Sequence, residues 1–266
     1  MTTFNFRRNT ARELNELVRD APVGVSLTDD HRRSLSARFR AVSSAGRRRL
    51  DAWSVEQAGQ PSSGFHWTPA TARRLLGNGA MRRMVRQSIS PSEAVSDEIE
   101  DQLLRCASGY ARAGSLAYWL ASRSASEIAL VSAEATNWAV QVHEIAQGLE
   151  REWRVAASDA FYDVASARTS LRARRDLEVP SIEGRVVLRV RSGSPGKSAG
   201  PGLRSDLTID TLADPQGVAP RRFIGVWPEA GVMLSVDGTM DDLRAGARDL
   251  VRTAVVSERR RLQKAA

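Results

Sequence analysis

The hydrophobic period of the chain changes near Trp153, and this change constrains the fold more than any other feature of the sequence. From Met1 to about Arg151 apolar residues recur three and four apart and β-branched runs are rare, so this part reads as helical. Beyond Trp153, short runs rich in Val, Ile, Phe and Trp stand between turn residues and read as strands. The expectation is an α+β or α/β protein, with an arginine-rich helical region over residues 1–137 and an α/β core over 138–266.

Within the helical part, Thr28-Asp29-Asp30 opens a helix expected to run to about Trp53. Leu35, Phe39, Val42 and Leu50 share one of its faces, while Arg32, Arg33, Arg38, Arg40, Arg47, Arg48 and Arg49 occupy the rest, with no acid between 32 and 49. The Gly, Pro and Ser of residues 57–64 predict a loop. Trp67-Thr68-Pro69 then supplies an N-cap followed by proline at the first helical position. This helix turns Leu75, Leu76, Met81, Met84 and Val85 inward and Arg73, Arg74, Arg82, Arg83 and Arg86 outward. Gly77-Asn78-Gly79 is expected to interrupt it, giving the outline of a helix-turn-helix. Two more helices are expected over 92–113 and 127–151.

In the second part, strands are expected over 161–164, 170–179, 185–191, 222–227 and 232–236, with helices over 203–213 and 240–262. The stretch 192–202 is rich in Gly, Ser and Pro and reads as a loop. The turn Pro180-Ser181-Ile182-Glu183-Gly184 can join the strands on either side as a hairpin, which would make 170–179 and 185–191 neighbours in one mixed sheet.

Charge narrows the function classes. The net charge is +8, carried by 39 basic residues of which only Lys197 and Lys264 are lysines, and this surplus points to a polyanionic partner. Cys106 is the single cysteine, which excludes a disulfide framework and a cysteine-based zinc site. No apolar run approaches the ~20 residues that span a bilayer, and Met1–Arg8 lacks an apolar signal core, so a cytoplasmic protein with no membrane partner is expected. His31, His66 and His143 have no metal-ligand spacing. Gly193–Ser198 ends in Gly-Lys-Ser, but its first glycine is two residues too close for a phosphate-binding loop. No cofactor is expected. The six tryptophans, Trp53, Trp67, Trp119, Trp138, Trp153 and Trp227, read as core anchors.

The informative stretch runs from Leu171 to Gly231. It carries Leu171-Arg172-Ala173-Arg174-Arg175-Asp176-Leu177-Glu178-Val179, then Arg185-Val186-Val187-Leu188-Arg189-Val190-Arg191, then Asp206-Leu207-Thr208-Ile209-Asp210, and then Arg222-Phe223-Ile224-Gly225-Val226-Trp227. This order resembles the core of the RecB-like nucleases of the PD-(D/E)XK superfamily, over roughly Trp138 to Val251. The resemblance implies a restriction-endonuclease-like mixed sheet flanked by helices. It places Asp176 on the family's metal-binding aspartate and Arg189 and Arg191 on the glutamate and lysine of its Glu-x-Lys. Asp206 and Asp210 then take the places of the glutamine and tyrosine of its following helix, and His143 stands in for its upstream histidine.

These departures remove the chemistry. A hard divalent cation needs oxygen ligands, and a guanidinium has no lone pair to offer and stays protonated. Arg189 and Arg191 share one strand face while Val186, Leu188 and Val190 share the other, so both arginines would sit where the family holds its catalytic pair. Asp206 and Asp210, four apart on a helix, are placed to pair with them. Three readings stand: an ion-pair network among Asp176, Arg189, Arg191, Asp206 and Asp210; phosphate binding by Arg189 or Arg191; or a residual nuclease that uses Glu178 or Glu183.

The resulting expectation is a DNA-binding protein with a catalytically degenerate core, a non-catalytic partner of a helicase or nuclease in DNA repair or defence. Candidate nucleic-acid contacts are Arg32, Arg33, Arg47, Arg48, Arg49, Arg73, Arg74, Arg172, Arg174, Arg189 and Arg191. Alternatives are an active metal-dependent nuclease with migrated ligands and a protein–protein scaffold.

Overall fold

The computed structural model describes residues 8–41, 48–57, 67–164 and 169–265. These fall into two compact units, one taking the described residues between 67 and 148 and the other joining 8–57 to 149–265. In chain order the second unit opens with α1 (Arg8–Arg19), α2 (Asp29–Ala41), β1 (Arg48–Asp51) and α3 (Ala52–Glu56). The first unit supplies α4 (Pro69–Gln87), α5 (Pro91–Ala107), α6 (Leu116–Ala121) and α7 (Ala125–Gln147). The second resumes with β2 (Arg154–Val155), β3 (Ala160–Val164), β4 (Thr169–Ala173), β5 (Leu177–Ser181) and β6 (Gly184–Val190). It ends with α8 (Ala199–Ala213), β7 (Arg222–Trp227), β8 (Val232–Asp237) and α9 (Met240–Ala265). The protein is therefore a mixed α/β protein with helix-flanked sheets. Among the described residues no helix is long and apolar enough to cross a membrane.

The boundary expected at 137/138 falls inside α7, and residues 8–57 belong with the strands. The reason is long-range burial: Phe39 and Leu50 lie in one apolar cluster with Leu171, Ile209 and Leu250. The helix expected to run through Trp53 does not reach it: residues 48–51 form a strand parallel to β4. Trp53, on the short α3, is 46 % exposed and is no core anchor, whereas Trp138 and Trp227 are buried.

In the first unit every helix start has a chemical cause. Thr68, Ser90, Ser115 and Ser124 each accept a hydrogen bond from the backbone N–H three residues on, at Thr71, Glu93, Tyr118 and Glu127. Helix α4 runs unbroken through Gly77-Asn78-Gly79, so this stretch is not the turn of a helix-turn-helix. The two glycines serve packing instead. A Cβ on Gly77 would lie 2.6 Å from Trp138 Cδ1 and one on Gly79 2.6 Å from Glu98 Cδ, while Asn78 Oδ1 accepts from Trp138 Nε1 at 2.9 Å. Gly77→Ala is accordingly expected to destabilise the protein by about 1–3 kcal/mol through overpacking, despite a gain of up to ~1 kcal/mol in helix propensity. Thermal unfolding reads this, and an unchanged or raised Tm would contradict the close α4–α7 contact. Val85, expected inward, is 45 % exposed. Helix α5 ends at Ala107, short of the expected 113, and α7 spans 125–147 where 127–151 was expected.

The described residues of the second unit form two sheets. One has the order β1-β4-β3, and the other β2-β5-β6-β7-β8, in which β6 and β7 are parallel and the other pairs antiparallel. The single strand expected over 170–179 is two strands in different sheets. The chain crosses between them at Arg174-Arg175, and Asp176 already exchanges ladder bonds with Ala156 and Leu188. The hairpin joining β5 to β6 is present, so part of the expected strand does neighbour 185–191. Helix α8 begins inside the expected loop, at Ala199, and connects β6 to β7. It is packed by both sheets: Ile209 and Leu212 join the cluster of β1, β3 and β4, while Leu203 and Leu207 join that of β6, β7 and β8.

Candidate functional site

A helix covered on two sides must satisfy its polar groups internally. On α8, Ser205, Thr208 and Thr211 donate their hydroxyls to the carbonyls of Pro201, Arg204 and Leu207 at 2.8–2.9 Å. Asp206 and Asp210 cannot donate when ionised and need cations. Helix α8 runs back along β6, whose side chains at 185, 187 and 189 face it. Val187 packs on Leu203 and Leu207, Arg189 pairs with Asp206, and Arg185 Nη2 reaches Asp210 Oδ2 at 2.7 Å.

The network differs from the expected one in its partners. Arg191 meets Glu56 of α3 in a two-pronged pair at 2.6 and 2.5 Å and lies 5.0 Å above the Trp227 ring. Glu56 itself sits over Gly202, where a Cβ would come within 2.2 Å of its Oε1. Asp210 takes Arg185 and Arg175, the latter at 3.3 Å. Asp176 accepts the Val190 N–H at 2.8 Å. Arg185 stands four residues before Arg189, as Asp210 stands four after Asp206, so the strand period could have revealed that pair. Glu56, 135 residues from its partner, left no signal in the sequence.

Electrostatics follow from burial. Desolvation pushes Asp206 up to about 7 against the pull of Arg189, and Asp176 up to about 6 against the Val190 N–H and Arg189. Asp210 is also raised, by burial opposed by Arg185 and Arg175. Burial opposes the charge on Arg189 too, but Asp206, Glu56 and Asp176 together outweigh it and raise its pKa. Arg174 goes the other way: burial and the neighbouring Arg189 lower it by more than Asp51, Asp206 and Asp176 raise it.

Glu178 and Glu183 are committed elsewhere, Glu178 to Arg154 at 2.7 Å and Arg175 at 3.2 Å, and Glu183 to Arg221 at 3.0 Å. Among the described residues no three His, Cys, Asp or Glu side chains converge to hold a metal ion.

The candidate nucleic-acid arginines divide sharply. Arg49 of β1 and Arg172 of β4 come together around Phe161 of β3, their guanidiniums 6.0 and 5.8 Å from its ring centre. Phe161 is 51 % exposed, on the sheet face opposite Leu50 and Leu171, and Arg172 is steadied by Asp159 through its Nε at 2.7 Å. In the sequence Phe161 is legible only as one position of a strand; its exposure between the buried Ala160 and the half-buried Tyr162 follows the strand alternation. Arg189 is buried, and Arg191 is tied to Glu56. Arg32 donates to the Asp214 carbonyl and Arg33 pairs with Asp30 on its own helix. Arg73, 6.0 Å from the Trp138 ring, and Arg74 belong to the other unit and are half-buried. Arg47, the Arg48 side chain, Val42, His66 and most of the 57–64 loop lie outside the described residues. His31 Nδ1 lies 3.1 Å from Thr28 Oγ1, and His143 is half-buried on α7.

Comparison with known proteins returns no family model that matches this chain and no matching curated protein.

Proposed function

We propose that the second unit is a RecB-like core that binds DNA without cutting it. The observation that carries the binding is Phe161, half exposed and flanked by Arg49 and Arg172. An aromatic ring on a sheet face offers a base a stacking surface, and flanking guanidiniums offer the phosphates a counter-charge. The family resemblance is supported by the β5–β6 hairpin and the α8 crossover to a parallel β7. The lack of cleavage follows from Arg189. At the family's second ligand position it puts a buried cation, bonded to Asp206, where a metal would need an oxygen. DNA repair or defence, in company with a helicase or nuclease, is the setting this reading fits.

Fluorescence anisotropy with a labelled single-stranded oligonucleotide tests the binding. The affinity should fall steeply with salt, and Phe161→Ala should cost about 1–3 kcal/mol, the worth of one stacked base. No measurable binding at low salt, or binding indifferent to both Phe161→Ala and Arg49→Gln, would overturn it. Incubation with magnesium or manganese should leave linear and nicked DNA intact; cleavage abolished by Asp176→Ala would establish the nuclease reading instead.

A further inference from the structure

Between α4 and α5 of the first unit lies a notch of about 420 Å³ whose lining includes Arg82, Arg83, Arg86, Gln87, Glu98 and Gln102. Its volume falls within the about 300–1,000 Å³ of small-molecule sites. Because Gly79 has no side chain, Glu98 sits directly on α4, its carboxyl carbon 2.6 Å from where a Cβ would be. Seated there, Glu98 accepts from Arg83 Nε at 3.3 Å and from Gln102 Nε2 at 3.1 Å. Arg83 is further bound by Asp101. The acidic groups of the notch are thereby engaged by Arg83.

Arg82 and Arg86 are left over. All 31 acidic residues of the chain belong to its described segments, and none of them pairs with either guanidinium. Arg82 is half-buried and its Nε is shut off from solvent with no hydrogen-bond acceptor. Arg86, one helical turn on, is exposed, and residues four apart hold their Cβ atoms about 6 Å from each other. The C-terminal end of α4 offers these cations only the partial charge of its last carbonyls. Two neighbouring guanidiniums on the lip of a notch, with the side-chain amide of Gln87 also in its lining, supply the kind of donors that phosphate oxygens accept.

We infer that this notch binds a phosphate group, held between Arg82 and Arg86. The site stands in a different unit from Phe161 and does not depend on the function proposed above. A free nucleotide and a polynucleotide backbone present the same anion, and the experiment separates them.

The full-length protein is titrated, by calorimetry at low salt, with inorganic phosphate, adenosine monophosphate and a single-stranded oligonucleotide in turn. Saturable binding of at least one probe is expected, weakened at least fivefold by Arg82→Gln and by Arg86→Gln. Arg112→Gln, which removes the same charge at an exposed position of the same unit, should leave it unchanged. Binding of phosphate or the nucleotide assigns the site to a small ligand; binding of the oligonucleotide alone assigns it to a nucleic-acid backbone. Arg86→Gln alters an exposed side chain and keeps the test valid if Arg82→Gln fails to fold. No binding of any probe, or equal loss in Arg112→Gln, would overturn the inference. An effect of Phe161→Ala without one of Arg86→Gln would do so while leaving the proposed function standing.

Discussion

Arg189→Ala is expected to lower the free energy of unfolding by about 3–5 kcal/mol at pH 8, the usual cost of stranding one partner of a buried ion pair. Arg189 is 4 % exposed and Asp206 is fully buried, so water cannot replace the lost guanidinium. Arg185, the next cation along β6, is already held by Asp210 and Asp214. The loss should depend on pH. Asp206 already holds its proton up to about 7, and without Arg189 its pKa rises further, so at pH 6 the stranded carboxylate neutralises itself and the cost shrinks. Replacing both partners, by Arg189→Met with Asp206→Leu, should recover most of the loss, because apolar side chains of similar volume need no counter-charge. Urea denaturation at pH 8 and pH 6 measures all of these. A loss below about 1 kcal/mol for Arg189→Ala at pH 8 would show that the pair is solvated.

Asp176→Asn should stabilise the protein at pH 8, by up to about 3 kcal/mol. Burial raises the Asp176 carboxyl from 3.8 to about 6, which favours its protonated form in the fold. Its contribution to stability is therefore fully present below pH 3.8 and lost as the pH rises through about 6. Asparagine resembles the neutral acid, and its Oδ1 can still accept the Val190 N–H that Asp176 accepts at 2.8 Å. The difference between variant and native protein should thus be largest at pH 8 and vanish near pH 4. Denaturation midpoints across that range test it. A difference that does not vary with pH would mean that Asp176 titrates as an exposed aspartate.

Some of this architecture was open to sequence reasoning. Thr68-Pro69 marked the start of α4 to the residue, since a capping hydroxyl and a fixed φ act locally. Strand β7 and most of β6 were evident from their β-branched and aromatic runs, and the turn at 181–184 from its glycine, which adopts φ +125°. The two periods, 3.6 on the helix and 2 on the strand, set Asp206 and Asp210 against Arg189 and Arg191, and of these pairings Asp206 with Arg189 forms. The Gly77-Asn78-Gly79 stretch misled because glycine has two uses. Glycine often breaks a helix, but here it lets Trp138 and Glu98 approach the α4 backbone, and only the neighbouring helices distinguish the two.

By itself, then, the sequence determined the start of α4, the turn at 181–184 and most of β6 and β7, where a cap, a turn or a period acts locally. It also set the excess of arginine that the fold has to place. The tertiary structure alone decided where each arginine went. It divided residues 169–181 between two sheets, set α8 between those sheets, and brought Glu56 to Arg191 across 135 residues. It left Arg49 and Arg172 at an exposed ring and buried Arg189. The physical reason is that a guanidinium keeps its charge everywhere, so its role is set by the carboxylates and apolar surface that reach it. Those neighbours are chosen by packing between distant segments, which no local pattern records.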